Sequence, residues 1–405
     1  MIDLWLVLFI VFLDWMGIGL VYPMFSSMLF HPECPFLEAG ASDAIRGWYL
    51  GVLLATMSIA QFLSGPILGT LSDQKGRRPI FLYSLVLGVI GYICCMAAVN
   101  IENIFLLVLS RALVGTAAGN AAVASASIAD LSTPENKSKN FGLYSMACGL
   151  GFTVGPFLGG KFSAYGFSAP FLVAGVATFL NFLLIFFFYR ESNGNIKHQT
   201  TKHKKMLCQG IKNLKKAFIT PNLRILFLAI LLYCFGWSFY YEFLPVTWIA
   251  DHQFSAEKIG FFFAYGAGWY ALSAGLLIRP ILGRYRHEAV FFFALLALGV
   301  FLFLMLLTTN ILWVWIGLPI ANFFAALLFP TSTTLISNWA AKNAQGETLG
   351  ILGSVQSAAF ALSPLAAGSF LGGHPHMPMV LGGSAMLLAA LILGTFLRKT
   401  IFSHR

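Results

Sequence analysis

Charge is scarce in this sequence. Asp, Glu, Lys and Arg make up 10% of its 405 residues and hydrophobic residues 58%, and the mean hydropathy is +0.80. Soluble domains carry about 25% charged residues, so water is excluded as the main solvent. The six cysteines form no CxxC spacing, and only Cys34 falls in a segment expected on the outer side, which excludes a disulfide framework. A GxxxxGK[ST] phosphate loop, a GxSxG nucleophile elbow and an HExxH helix are all missing. ATP-driven transport and hydrolytic catalysis therefore lack their usual chemistry, and an enzyme is not expected. No Lys or Arg precedes the apolar run Leu4–Leu13, so the run reads as a retained first helix rather than a secretory signal.

What is present is a succession of apolar stretches. At about 20 residues per crossing, twelve spans are expected at 4–29, 47–70, 79–99, 104–131, 140–162, 168–190, 224–250, 257–278, 288–308, 310–337, 346–371 and 378–397. With both termini in the cytoplasm, 21 of the 25 Lys and Arg residues fall in cytoplasmic segments, and only Arg46, Lys161 and Lys258 fall outside. This positive-inside bias sets the orientation in an inner membrane. It also accounts for the net charge of +10 without nucleic acid.

The stretch 191–222 is polar and basic (KHQTTKHKK, then IKNLKK) and divides the chain into an N-terminal half, 1–190, and a C-terminal half, 223–405, with a short cytoplasmic tail. Within it, 206–218 places Leu207, Ile211, Leu214 and Phe218 at helical spacing beside Lys212, Lys215 and Lys216. Two readings stand: an interfacial helix on anionic lipid, or a solvated linker. Gly142, Pro156 and Gly160 recur 208 residues later as Gly350, Pro364 and Gly368, and Asp130 recurs as Asn338. The repeat predicts two halves related by an axis along the membrane normal.

Between the second and third spans runs Gly69-Thr-Leu-Ser-Asp73-Gln-Lys-Gly76-Arg77-Arg78-Pro79. This resembles the signature loop of the major facilitator superfamily, G-x-L-[SA]-D-x-x-G-R-[RK]-P. The resemblance implies twelve transmembrane helices in two pseudo-symmetric six-helix bundles, an all-α membrane fold. It also implies a cytoplasmic latch built from Gly69, Asp73, Gly76, Arg77, Arg78 and Asp130. Gly69 would allow close helix approach and Gly76 a tight turn, while Asp73 would accept from Arg77 or from the amino end of the third helix.

The fifth span carries Gly151, Gly155, Pro156, Gly159 and Gly160 in the order G-x-x-x-G-P-x-x-G-G. That order is similar to the motif of the superfamily's antiporter branch and points to export. Leu13-Asp14 through Gly17, Gly19 and Pro23 resembles the first helix of tetracycline-type efflux proteins, as does Gln61 through Gly69 for the second. The third-helix Asp of that group is replaced by the Gly91-Tyr92 region, so the resemblance does not carry a tetracycline substrate over.

Ionisable groups inside hydrocarbon cost about 2.5–3.5 kcal/mol each on insertion scales and point to function. Three stand out: Asp14, Arg111 and Glu242. Asp14 lies about 15 Å into its helix at 1.5 Å per residue, near mid-membrane. Desolvation favours its neutral acid and a nearby cation favours the carboxylate, as coupling to a proton gradient requires. Arg111 matches the family's fourth-helix R-x-x-x-G-x-x-x-G pattern, which implies a part in proton coupling and suggests a pairing with Asp14. Its other reading is a structural Arg bonded to carbonyls. Glu242 follows Trp237, Tyr240 and Tyr241, which form either a cavity wall for an aromatic or cationic solute or an outer aromatic belt. Asn322 and Gln356 are further cavity candidates. The outer loop around His374 and His376 reads as an ordinary turn, and neither a metal nor a cofactor is expected.

These features converge on a monomeric, proton-coupled exporter of a small molecule, working by alternating access. An exporter of an endogenous metabolite such as a siderophore, an uptake symporter, or a non-transporting receptor or assembly partner are the alternatives.

Overall fold

Apolar runs of this length fold as helices because lipid offers backbone N–H and C=O groups no partner but one another. In the computed structural model, which describes residues 2–31, 34, 36–38, 40–133, 136–192, 209–221, 223–340, 345–372 and 374–396, 12 helical spans are long and apolar enough to cross a membrane. The protein is a multi-pass integral membrane protein, and no strand occurs among the described residues.

The first helices are α1 (Ile2–Leu29), α2 (Asp43–Lys75) and α3 (Arg77–Asn100). The fourth span is broken at Gly119 and Asn120 into α4 (Ile104–Ala118) and α5 (Ala121–Asp130). Then come α6 (Lys137–Ser163), α7 (Ala169–Phe188), the short α8 (Gln209–Ile219) and α9 (Arg224–His252). The eighth span is α10 (Ala256–Leu272), a π-helical turn at Ser273–Leu277, and α11 (Ile278–Arg284). The chain continues as α12 (His287–Met305), α13 (Leu312–Trp339), α14 (Gln345–Phe370) and α15 (Met377–Phe396).

Packing divides the chain into two compact units. The first comprises Met1–Ala41, Val52–Gln209 and Phe254–Ala264; the second comprises Ser42–Gly51, Gly210–Gln253 and Tyr265–Arg405. These differ from 1–190 and 223–405 chiefly at two places, because the start of α2 packs in the second unit and the start of α10 in the first. The same pattern recurs in each. In the first unit α1 packs on α6 and α7, and α3 on α4 and α7; in the second, α9 packs on α14 and α15, and α12 on α13 and α15. Two of the pairs matched by the 208-residue repeat make matching contacts. Pro156 and Gly160 of α6 lie against Gly260 of α10, and Pro364 and Gly368 of α14 lie against Gly51 of α2.

Lipid tails are as apolar as Leu, so helices associate through close packing and interhelical hydrogen bonds rather than through expulsion of water. In the first unit Val7, Ile10 and Val11 of α1 mesh with Phe81 and Leu85 of α3, Ile128 of α5 and Ile185 of α7, all buried. Within the second unit, Asn213 of α8 donates from Nδ2 to Ser354 Oγ of α14 at 3.0 Å, and Ala217 is buried. Ile211 and Phe218 are exposed, as are Lys212, Lys215 and Lys216. The run KHQTTKHKK, residues 206–208 and the tail after 396 lie outside the described residues.

Candidate functional site

A carboxylate inside a helix bundle needs hydrogen-bond donors, and Asp14 finds two, both amides. Asn120 donates from Nδ2 to Oδ2 at 2.9 Å, and Asn181 of α7 donates from Nδ2 to Oδ1 at 2.6 Å. The same Asn181 nitrogen donates to the Ile10 carbonyl at 3.1 Å, while its Oδ1 is buried with no hydrogen-bond partner. The break in the fourth span positions Asn120. Gly119 sits where a Cβ would strike Ser64 and Gly65 of α2, and the Ala118 carbonyl freed by the break accepts from Gln61 Nε2 at 3.2 Å.

Arg111 does not pair with Asp14, contrary to expectation. Its Nε faces the Leu53 carbonyl at 3.5 Å, its NH2 lies 2.7 Å from Met57 Sδ, and its guanidinium sits 4.7 Å from the centroid of the Phe25 ring. Gly115 draws α4 so close to α2 that a Cβ there would strike the Met57 backbone, which is why the Arg side chain reaches the Leu53 carbonyl and the Met57 thioether of α2. Tyr92 lies within electrostatic reach of both Asp14 and Arg111. Its hydroxyl points at Gly17, where a Cβ would stand 3.6 Å away.

At the end of α2 the charged loop forms a closed cluster within the first unit. Arg77 meets Asp73 Oδ1 at 2.6 Å through NH1 and Asp130 Oδ2 at 2.8 Å through Nε, and it donates to Ser72 Oγ at 2.6 Å. Of the two partners expected for Asp73 it takes Arg77, and the other, the amino end of α3, is occupied by Glu191. Its Oε1 accepts from the Arg77 backbone N–H at 2.8 Å and its Oε2 from that of Arg78 at 3.0 Å. A carboxylate there neutralises the positive end of the helix dipole. Gly76 has φ +95°, and a Cβ on it would collide with the Glu191 carboxylate. Gly69 needs no such allowance, since a Cβ there would meet Ala122 at an ordinary 3.6 Å. Arg78 donates from NH2 to the Phe186 carbonyl at 2.6 Å.

Glycines of α6 form a seam with α1. A Cβ on Gly151 would stand 2.5 Å from the Phe12 carbonyl and one on Gly155 2.5 Å from that of Met16, while Gly159 abuts Leu20. Gly160 faces α10 instead, and Pro156 meets both helices, its ring against Gly19 of α1 and its carbonyl toward Gly260 of α10.

In the second unit, Trp237 and Tyr241 stack with ring centroids 5.5 Å apart. Trp237, Tyr240 and Trp248 are buried rather than set in an exposed belt, and Glu242 is half-buried beside them. Asn322 donates from Nδ2 to the Leu318 carbonyl of its own helix at 2.9 Å and packs against Gly266. Gln356 of α14 is half-buried. The loop before α15 is tied down: His376 Nε2 lies 2.9 Å from Asp251 Oδ2, and its Nδ1 2.9 Å from His374 Nδ1.

Three residues central to this geometry, Asn120, Asn181 and Glu191, escaped the sequence reading. Asn181 left a signal, as an amide deep in the apolar run of α7 (APFLVAGVATFLNFLLIFFF). Glu191 was masked by its place at the edge of a polar stretch.

The family model of the Major Facilitator Superfamily matches residues 4–321 and again 226–403. The chain belongs to the Major Facilitator Superfamily. Among its relatives within this superfamily, the class C tetracycline resistance protein of Escherichia coli is 40% identical over 181 residues, 45% of this chain and 43% of that protein. The chain thus spans less than half the length of that relative. The quinolone resistance protein NorA of Staphylococcus aureus (strain COL) is 27% identical over 392 residues, 95% of this chain and 94% of NorA. Among solved structures, the human organic anion transporter MFSD10 (TETRAN) matches with a TM-score of 0.71 at 22% identity, covering 96% of this chain and 98% of that one.

Proposed function

We propose that this chain is a proton-coupled exporter of a small molecule or drug, and that Asp14 is the group that takes up and releases the proton. The observation that carries this reading is an acid set about mid-span and held by neutral amides rather than by a fixed cation. A carboxylate locked to Arg111 would stay charged. One bonded to amides exchanges a proton as the surrounding dielectric changes. The resistance proteins to which the chain is similar favour outward transport of a foreign compound. In this reading Arg111 is a fixed positive charge that tunes the site through Tyr92, and Glu242 is a second acid beside the stacked Trp237 and Tyr241 that bind solute. The Arg77 cluster with Asp73 and Asp130 serves as the cytoplasmic latch of the alternating-access cycle.

The protein works in the inner membrane with both termini in the cytoplasm, and as a monomer, since one chain carries both units. The exposed Ile211 and Phe218 beside three lysines set α8 against anionic lipid on the cytoplasmic face. The test is efflux in proteoliposomes under an imposed pH gradient, screened over a panel of drugs. Asp14→Asn is expected to keep the protein folded and abolish gradient-driven transport. Undiminished efflux by that variant would remove Asp14 from the mechanism.

A further inference from the structure

Asn181 holds a hydrogen-bond arrangement that fits only one protonation state of its neighbour. Its Nδ2 donates twice, to Asp14 Oδ1 at 2.6 Å and to the Ile10 carbonyl at 3.1 Å. A carboxylate only accepts, so this arrangement suits the ionised acid. The other end of the amide, Oδ1, is an acceptor that receives nothing, on a side chain that is 0% exposed. A buried acceptor without a donor is costly and calls for an explanation. The protonated acid supplies the missing donor. If the carboxamide turns by half a revolution about its last bond, Oδ1 takes the place of Nδ2 and accepts from the Asp14 O–H.

We propose that Asn181 is a positioning residue with two hydrogen-bond roles, donor to the Asp14 carboxylate and acceptor from the Asp14 acid. The inference rests on Asp14 being the proton-carrying group. Asn120 differs, because it donates from Nδ2 to Oδ2, and among its atoms none is left buried without a partner. It serves the carboxylate alone. The other titratable or charged groups within electrostatic reach of the site are Tyr92 of α3, with Arg111 of α4 beyond it, and Tyr144 and Cys148 of α6. The turned amide would give up its bond to Ile10 and carry its two N–H groups to the buried place of Oδ1, and both costs bias Asn181 toward the ionised state. Protonation therefore works against a local restraint on α1 and α7.

The experiment is infrared difference spectroscopy on the full-length protein in lipid between acidic and alkaline buffer, with the pH profile of efflux measured alongside. The carboxylic C=O band of Asp14 is identified by its loss in Asp14→Asn. Asn181→Leu is expected to move both readouts. Its Asp14 band shifts to that of an acid whose hydroxyl has no acceptor, and the midpoint of its efflux profile rises by about one pH unit, because the charge-assisted bond it loses is the stronger of the two. Asn120→Leu is expected to raise the midpoint and leave the band in place. If Asn181→Leu behaves like Asn120→Leu, Asn181 is a fixed donor and the proposal is overturned. Should Asn181→Leu fail to fold, wild-type protein with ¹³C-labelled asparagine gives the same answer. An asparagine amide band then shifts on acidification and is silent in Asp14→Asn, and a silent band in wild type also overturns the proposal. An Asp14 band that never appears at any pH would remove Asp14 as the proton carrier, and this inference with it. A titrating band indifferent to Asn181 would remove this inference only.

Discussion

Gly76 and Glu191 show how much one residue can settle. The turn between α2 and α3 demands φ +95° at position 76, a backbone conformation that L side chains rarely adopt, and the Glu191 carboxylate fills the space a Cβ would need. Gly76→Ala is therefore expected to cost about 1–3 kcal/mol, read as a lowered melting temperature in detergent. Glu191→Gln keeps the shape of the cap but removes its charge at the helix end, a loss of about 0.3–1 kcal/mol. It should melt between wild type and Gly76→Ala, and the reverse order would mean that the cap's charge, not the turn, governs this corner. At this scale charges were legible in the sequence and their partners were not. Asp14 and Arg111 stand out because lipid penalises them. Which neighbour answers them depends on the rotation of each helix about its axis, and hydropathy carries no trace of that. So Asp14 proved to be held by two asparagines and Arg111 by a carbonyl, a thioether and a ring.

Helices carry their own tests, and α6 is the clearest case because its glycines differ in what they touch. Gly151, Gly155 and Gly159 touch the backbone of α1, whereas nothing lies within 4 Å of a Cβ at Gly142 or Gly149. Gly155→Val should sharply reduce the yield of monodisperse protein after detergent extraction. Gly149→Ala should leave that yield unchanged, or raise it, by helix propensity worth up to about 1 kcal/mol. Equal losses from the two would show that packing against α1 is not what fixes α6. The span count followed from apolar length. The break at Gly119 and Asn120 did not, because an apolar run reads the same whether its hydrogen-bond ladder is continuous or interrupted. The π-helical turn at Ser273–Leu277 was hidden for the same reason.

Over the whole molecule, the distribution of basic residues yields an orientation that labelling can check. In a variant lacking the six native cysteines, Lys161→Cys is expected to react with a membrane-impermeant maleimide added to intact spheroplasts. Lys75→Cys should react only after permeabilisation. Both positions are exposed, so accessibility alone would not separate them. The internal repeat was legible at Pro156, Gly160, Pro364 and Gly368, which sit where backbones touch, and the two units repeat one packing scheme. The seam between α1 and α6 also bears on evolvability. Along Gly151, Gly155 and Gly159 main chain meets main chain, and no side chain is on offer there for selection to exchange. A mutant library challenged with an unfamiliar compound should return that edge intact, with its gains of function concentrated around the aromatic rings of α9.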